Sequence, residues 1–154
     1  MRILVQRVKK SSVEIDGKVT AQIGNGLLVF VGICDKDGDF DIEYLTSKLV
    51  NLRIFDDENG VMNLSVKDVD AEILIVSQFT LYASTRKGNR PSYILAAKPE
   101  ISVPLYEKFC EQTAQKLGKS VQSGVFGADM KVSLVNDGPV TIWIDSDEFG
   151  ISIK

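Results

Sequence analysis

The stretch that most constrains a fold for this chain is Leu74-Ile75-Val76-Ser77-Gln78-Phe79-Thr80-Leu81. It opens as a continuous apolar run, the signature of a buried strand. Ser77, Gln78 and Thr80 then place hydrogen-bonding side chains in otherwise apolar surroundings. Buried polar groups cost free energy unless paired. A strand with such an end either satisfies its own backbone or holds a ligand. The second run of this kind, Leu27–Ile33, is nearly all apolar and reads as a central strand.

Shorter strands read around these two. Arg2–Val8 and Ser12–Ile15 precede Asp16-Gly17, a two-residue hairpin signal, with Lys18–Ile23 as the partner. Gly24-Asn25-Gly26 reads as a turn, since no helix follows to make it a phosphate loop. Arg53–Phe55, Val61–Val66, Ile73–Tyr82, Met130–Val135, Val140–Ile144 and Ile151–Lys154 are the other expected strands. Ile42, Leu45, Leu49 and Leu52 recur at three- and four-residue spacing and predict a helix over Phe40–Leu52. The acids of Asp35–Asp41 suit its N-terminus better than a calcium loop, whose late glutamate is missing. A second helix is expected from an N-cap at Ser102, with Pro104 in its first turn, to a stop at Gly118. The expectation is one α/β domain over residues 1–154. It would have largely antiparallel sheets in two layers and two main helices on one side.

Composition narrows the chemistry. The chain has no histidine, which removes Ser-His-Asp and Cys-His nucleophile activation and the commonest transition-metal ligand. Cys34 and Cys110 read as free, buried thiols rather than a disulfide. The net charge of −3 argues against a broad nucleic-acid-coating surface. A local contact is another matter. Arg86, Lys87 and Arg90 sit without an acid in the loop Ala83–Ser92. That loop is either merely solvated or a phosphate contact. No apolar run is long enough to span a bilayer, and no signal peptide is read, so the expected location is cytoplasmic.

Asn136-Asp137-Gly138-Pro139 separates two expected strands and reads locally as a turn. X-Pro bonds are the ones with a realistic cis population. A cis bond would turn both carbonyls to one side as a rigid pair of acceptors.

Ser77-Gln78-Phe79-Thr80-Leu81, taken with Asn136-Asp137-Gly138-Pro139-Val140-Thr141, resembles the D-aminoacyl-tRNA deacylases. Gln6-Arg7-Val8, Arg53-Ile54-Phe55, Met62-Asn63-Leu64, Arg90-Pro91-Ser92 and Phe126-Gly127-Ala128-Asp129-Met130 follow the same family order. The likeness spans nearly the whole chain.

The resemblance implies the deacylase fold, no cofactor, no metal and a homodimer. Its substrate would be the aminoacylated 3′ adenosine of tRNA. The Gly138-Pro139 segment of one subunit would reach into the other's site, hold the α-amino group and exclude L side chains. Glycine, lacking a side chain, would pass, so glycyl-tRNA mischarged on tRNA-Ala is an expected substrate too. Ser77, Gln78, Phe79 and Thr80 would form the catalytic wall. Thr80 would position rather than attack, because a threonine hydroxyl needs a base. Arg7 would brace the Gly138-Pro139 loop. Phe126 and Met130 would line the adenosine pocket, with core packing as the alternative. Arg86, Lys87 and Arg90 would meet tRNA phosphates. The rival readings are a nucleic-acid-binding module without catalysis and a structural dimer.

Overall fold

The computed structural model describes residues 1–149. Its elements run β1 (Arg2–Ile15), β2 (Lys18–Ile23), β3 (Gly26–Gly32), α1 (Asp39–Asn51), β4 (Phe55–Asp56) and β5 (Met62–Leu64). They continue with β6 (Glu72–Ser77), a 3₁₀ turn (Phe79–Tyr82), α2 (Pro99–Leu117), β7 (Gln122–Ser123), β8 (Lys131–Asp145) and a second 3₁₀ turn (Ser146–Phe149). The strand expected at Ile151–Lys154 lies outside the described residues.

The main sheet runs β2-β1-β3-β6-β7, and β8 pairs with β1 along its other edge. The pairings of β1 with β2, β3 and β8 are antiparallel. Those of β3 with β6 and of β6 with β7 are parallel. β4 and β5 form a separate antiparallel ribbon.

The continuous apolar runs have a direct cause, since β3 and β6 are buried on both faces. Leu27, Val29, Val31, Ile73 and Ile75 face Ile42, Leu45 and Leu49 of α1 and Phe109 of α2. Leu28, Leu74 and Val76 face Val8, Val13, Ala21 and Ile23 instead. The second layer is therefore the far half of β1 with β2, folded over the sheet. Register shifts at Val8 and between Val13 and Glu14 supply the bend. Each fully buried leucine or isoleucine here contributes about 1.5–3 kcal/mol.

Four local expectations need correction. Arg2–Val8 and Ser12–Ile15 form one strand, because β8 pairs from Arg2 through Glu14 and carries β1 past the exposed Lys9 and Lys10. Met130–Val135 and Val140–Ile144 likewise merge into β8, with Gly138-Pro139 inside it rather than at a turn. The strand expected over Ile73–Tyr82 stops at Ser77 and rolls into the 3₁₀ turn. Ser102 is not an N-cap: α2 begins with Lys98 as cap and Pro99 in its first turn. The Ser102 hydroxyl donates back to the Lys98 carbonyl at 3.0 Å. Pro104 lies inside the helix, where its missing N–H would have served Glu100 in the solvent-exposed first turn. Among the described residues, no helix is long and apolar enough to cross a membrane.

Candidate active site

Where β6 ends, the chain turns sharply. Gln78 N–H donates to the Val31 carbonyl at 2.8 Å, the last bond in line with the β3–β6 ladder. The next residues coil, with Leu81 N–H donating to Gln78 O at 3.2 Å and Ala83 N–H to Thr80 O at 3.0 Å. As at any helix start, the first N–H groups have no partner within the turn. The N–H groups of Phe79 and Thr80 donate to no protein group among the described residues.

A cavity of about 320 Å³ opens beside this turn. Ser77, Gln78, Phe79, Phe126 and Met130 all line it. Sequence reasoning missed several of its walls: Val31 from β3, Ile33 just past its end, and Ala97 and Ser102 at the start of α2. Val31 and Ile33 had been visible only as parts of an apolar strand. Ser102 had been visible only as a helix start. The wall carrying Phe126 is fixed from behind, where the ring packs 5.8 Å from that of Tyr106. The buried Tyr106 hydroxyl donates to the Ile75 carbonyl at 2.9 Å, and burial pushes its pKa well above the usual phenol range.

The lining is apolar except for hydroxyls, one amide and one titratable side chain, Asp129. The Asp129 carboxylate is held by the Lys131 ammonium at 2.8 and 2.9 Å. Thr80 is half-buried and its hydroxyl oxygen is engaged by the Gln78 side-chain amide. An amide is no general base in either orientation, so nothing in contact with Thr80 prepares it for attack. The thiols offer nothing either. Cys34 is buried and Cys110 half-buried, both free. Burial raises both, Cys110 to about 11, which suppresses the thiolate.

Gly138 and Pro139 are exposed and do not line the cavity. Their peptide bond is cis. Along β8, Thr141 pairs with Gln6 and Asn136 with Val8, so the four residues between stand opposite Arg7 alone. They loop out of the ladder as a large bulge. Side chains replace the lost ladder bonds. Val140 N–H donates to Asn136 Oδ1 at 2.8 Å, and Asn136 Nδ2 donates to Val140 O at 3.1 Å. Arg7 is buried beneath the loop. Its Nε donates to Asp137 O at 2.8 Å and its Nη1 to Ile54 O at 2.6 Å. Asp137 also reaches Lys9 at 3.2 Å.

Arg86, Lys87 and Arg90 stand apart from the cavity lining, on a loop closed by reciprocal Ser84–Ser92 backbone bonds of 2.8 and 2.9 Å. All three are exposed, and none forms an ion pair among the described residues.

Comparison with known proteins gives a consistent answer. The family profile described as D-Tyr-tRNA(Tyr) deacylase matches residues 4–145. A D-aminoacyl-tRNA deacylase of Porphyromonas gingivalis is 65% identical over 146 residues, covering 95% of this chain and 97% of its own. One from Flavobacterium psychrophilum is 63% identical with the same coverage. Among solved structures, the c-Myc DNA unwinding element binding protein superposes with a TM-score of 0.90 at 41% identity, over 95% of this chain and 99% of its own. A probable eukaryotic D-amino acid tRNA deacylase shares the fold, with a TM-score of 0.80 at 20% identity over 94% and 98% of the two chains. With the bent sheet, the cavity at the end of β6 and the looped β8 in place, this chain belongs to the D-Tyr-tRNA(Tyr) deacylase family.

Proposed function

We propose that this protein hydrolyses the ester joining a D-amino acid to the 3′-terminal adenosine of tRNA, releasing the free amino acid and tRNA. The observation that carries the reading is the cavity at the end of β6, lined by hydroxyls, the Gln78 amide and a single carboxylate, Asp129, which is engaged by Lys131, and bordered by the turn whose Phe79 and Thr80 N–H groups donate to nothing among the described residues. Its volume falls in the range of small-ligand sites, about 300–1,000 Å³.

The adenosine lies against Phe126 and Met130. The ester carbonyl points at the N–H groups of Phe79 and Thr80, which receive the charge as the carbonyl becomes an oxyanion. Each such donor is worth about 3–4 kcal/mol. Water attacks the carbonyl carbon, and the bond to the 3′ oxygen breaks. The substrate's own 2′-hydroxyl relays the proton to the leaving oxygen. Ser77, Gln78 and Thr80 position these groups, and no metal takes part.

Chirality is read by the Gly138-Pro139 loop of a second copy of the chain, braced by Arg7. D and L esters carry the same groups, so only a rigid wall separates them, and an L side chain strikes that wall. Glycyl esters, including those mischarged on tRNA-Ala, pass it. Support for the second copy comes from β8. Its outer edge pairs with nothing among the described residues, and it carries the exposed Leu134, Val135 and Trp143. Unpaired edges of this kind are templates for another chain. Arg86, Lys87 and Arg90 track the phosphates leading to the 3′ end. The site of action is the cytoplasm.

The test is a deacylation assay in chelator with D-tyrosyl-tRNA and L-tyrosyl-tRNA. The D ester is expected to disappear while the L ester persists. Equal decay of the two would refute chiral proofreading, and binding without turnover would make the protein a nucleic-acid-binding module. Thr80→Ala is expected to keep turnover within roughly tenfold of wild type, since a hydrogen bond is worth about 1 kcal/mol. Loss of a nucleophile would instead cost about 10⁴–10⁶-fold.

A further inference from the structure

Arg2, Gly32 and Asp145 lie side by side across three strands: Arg2 of β1 pairs with Gly32 of β3 and with Asp145 of β8. The 3₁₀ turn Phe79–Tyr82 sits directly on this row. A Cβ on Gly32 would come within 2.9 Å of Leu81 Cβ, 3.1 Å of Gln78 O and 3.3 Å of the Tyr82 ring. The missing side chain is thus the seat of the turn. Arg2, next along the row, folds over the occupant. Its Nη1 donates to the Leu81 carbonyl at 3.0 Å and its Nε to Asp145 Oδ2 at 2.7 Å. Its guanidinium lies 4.2 Å from the centre of the Tyr82 ring and 5.5 Å from that of Trp143.

We propose that Arg2 is a positioning residue for the reaction, clamping the 3₁₀ turn so that the N–H groups of Phe79 and Thr80 aim at one point. This rests on the reading above that those two groups receive the oxyanion. A turn of four residues has one or two internal bonds and little rigidity of its own. Here a cation engages the Leu81 carbonyl near the turn's C-terminal end, where the peptide dipoles leave negative charge. The planar fork also ties the turn to β8 through Asp145, in a way a lysine's point charge does not reproduce. Arg2 touches the end of the turn remote from the free N–H groups, so it acts through the backbone and not on substrate.

The test is steady-state deacylation of D-tyrosyl-tRNA by wild type, Arg2→Lys and Arg2→Ala. Thermal melts and Trp143 emission, the chain's single tryptophan, are followed in parallel. A misaimed donor pair costs up to about 100-fold in rate, so kcat of Arg2→Ala is expected to fall roughly 10- to 100-fold. KM is expected to stay within about threefold, as for an interaction felt in the transition state. Arg2→Lys recovers part of the loss. Added ethylguanidinium restores kcat of Arg2→Ala and shifts its Trp143 emission in parallel. Unchanged kcat, or a rise in KM alone, would overturn the proposal. If Arg2→Ala melts below the assay temperature, Arg2→Lys decides, and full activity of that variant also overturns it. A wild type inactive on the D ester would remove the functional reading itself, and this proposal with it.

Discussion

Gly138→Ala is expected to abolish useful turnover while leaving most of the fold intact. Gly138 has a φ of 151°, a region L side chains rarely adopt. A Cβ there would meet Val140 Cγ2 at 2.7 Å, Val140 N at 2.8 Å and Arg7 Nη2 at 3.4 Å. Neither neighbour is free to yield. Val140 is held on both sides by Asn136, and Arg7 by the carbonyls of Asp137 and Ile54. The loop must therefore change its path. Gly138 and Pro139 are exposed, and of the loop only the half-buried Val140 packs against the rim of a core, so the stability cost is mainly that of one strained position, about 1–3 kcal/mol. That lowers Tm by a few degrees in a chain of this size. The catalytic cost is larger. A displacement of about 1 Å in a positioning element costs on the order of 100-fold. Single-turnover deacylation of D-tyrosyl-tRNA, paired with a thermal melt, reads both effects. A variant within threefold of wild type and still selective for the D ester would show that the loop does not form the chiral wall.

Arg7→Ala is the second large effect, and it falls on stability first. Arg7 is only 7% exposed, so its charge is nearly out of water. Its loss strips the donors from the Ile54 and Asp137 carbonyls and a cation from Asp56, 3.4 Å away. Removing one member of a buried ion pair costs about 3–5 kcal/mol. The Asp56 and Asp137 carboxylates are 53% and 31% exposed, and water compensates part of the loss. A fall of about 2–4 kcal/mol is expected, or roughly 5–15 °C in Tm. Arg7→Lys reaches one of the two carbonyls and falls between. Calorimetry decides, and a loss below about 1 kcal/mol would mean that Arg7 is dispensable beneath the loop.

These two residues also show what could be read from the sequence and what could not. The double-sided burial of β3 and β6 was legible because it leaves an unbroken apolar run. The face of α1 was legible because Ile42, Leu45 and Leu49 repeat at helical spacing. The continuity of β8 was not. Asn-Asp-Gly-Pro is local turn chemistry, and only pairing with β1 overrides it. The 3₁₀ turn after Ser77 was hidden for a related reason, since Phe79 and Leu81 continue the apolar pattern of a strand. What bends the chain there is the empty space over Gly32, forty-odd positions away in sequence. At the site, Ser77 to Phe79 and the Phe126–Met130 segment were recognisable as motifs. Ala97 and Val31 were not, because small and aliphatic residues carry no chemical label until the fold puts them on a wall.

The β1–β8 pairing also sets an order of events in the making of the protein. It joins Glu14 to Lys131 and Arg2 to Asp145, so every hydrogen bond of this ladder closes a loop of more than a hundred residues. Such loops cost entropy and form late, and they slow folding relative to local contacts. On the ribosome, β1 emerges early with one edge bare and waits for almost the entire chain. The β3–β6 core and both helices can condense in the meantime. The Arg2–Asp145 contact, the bulge over Arg7 and the unpaired outer edge of β8 all arrive together, with the last strand of the described residues. On the proposed role of the Gly138-Pro139 loop, chiral selection is then gained in one late step, and a nascent chain stalled before β8 would carry the β3–β6 core without it.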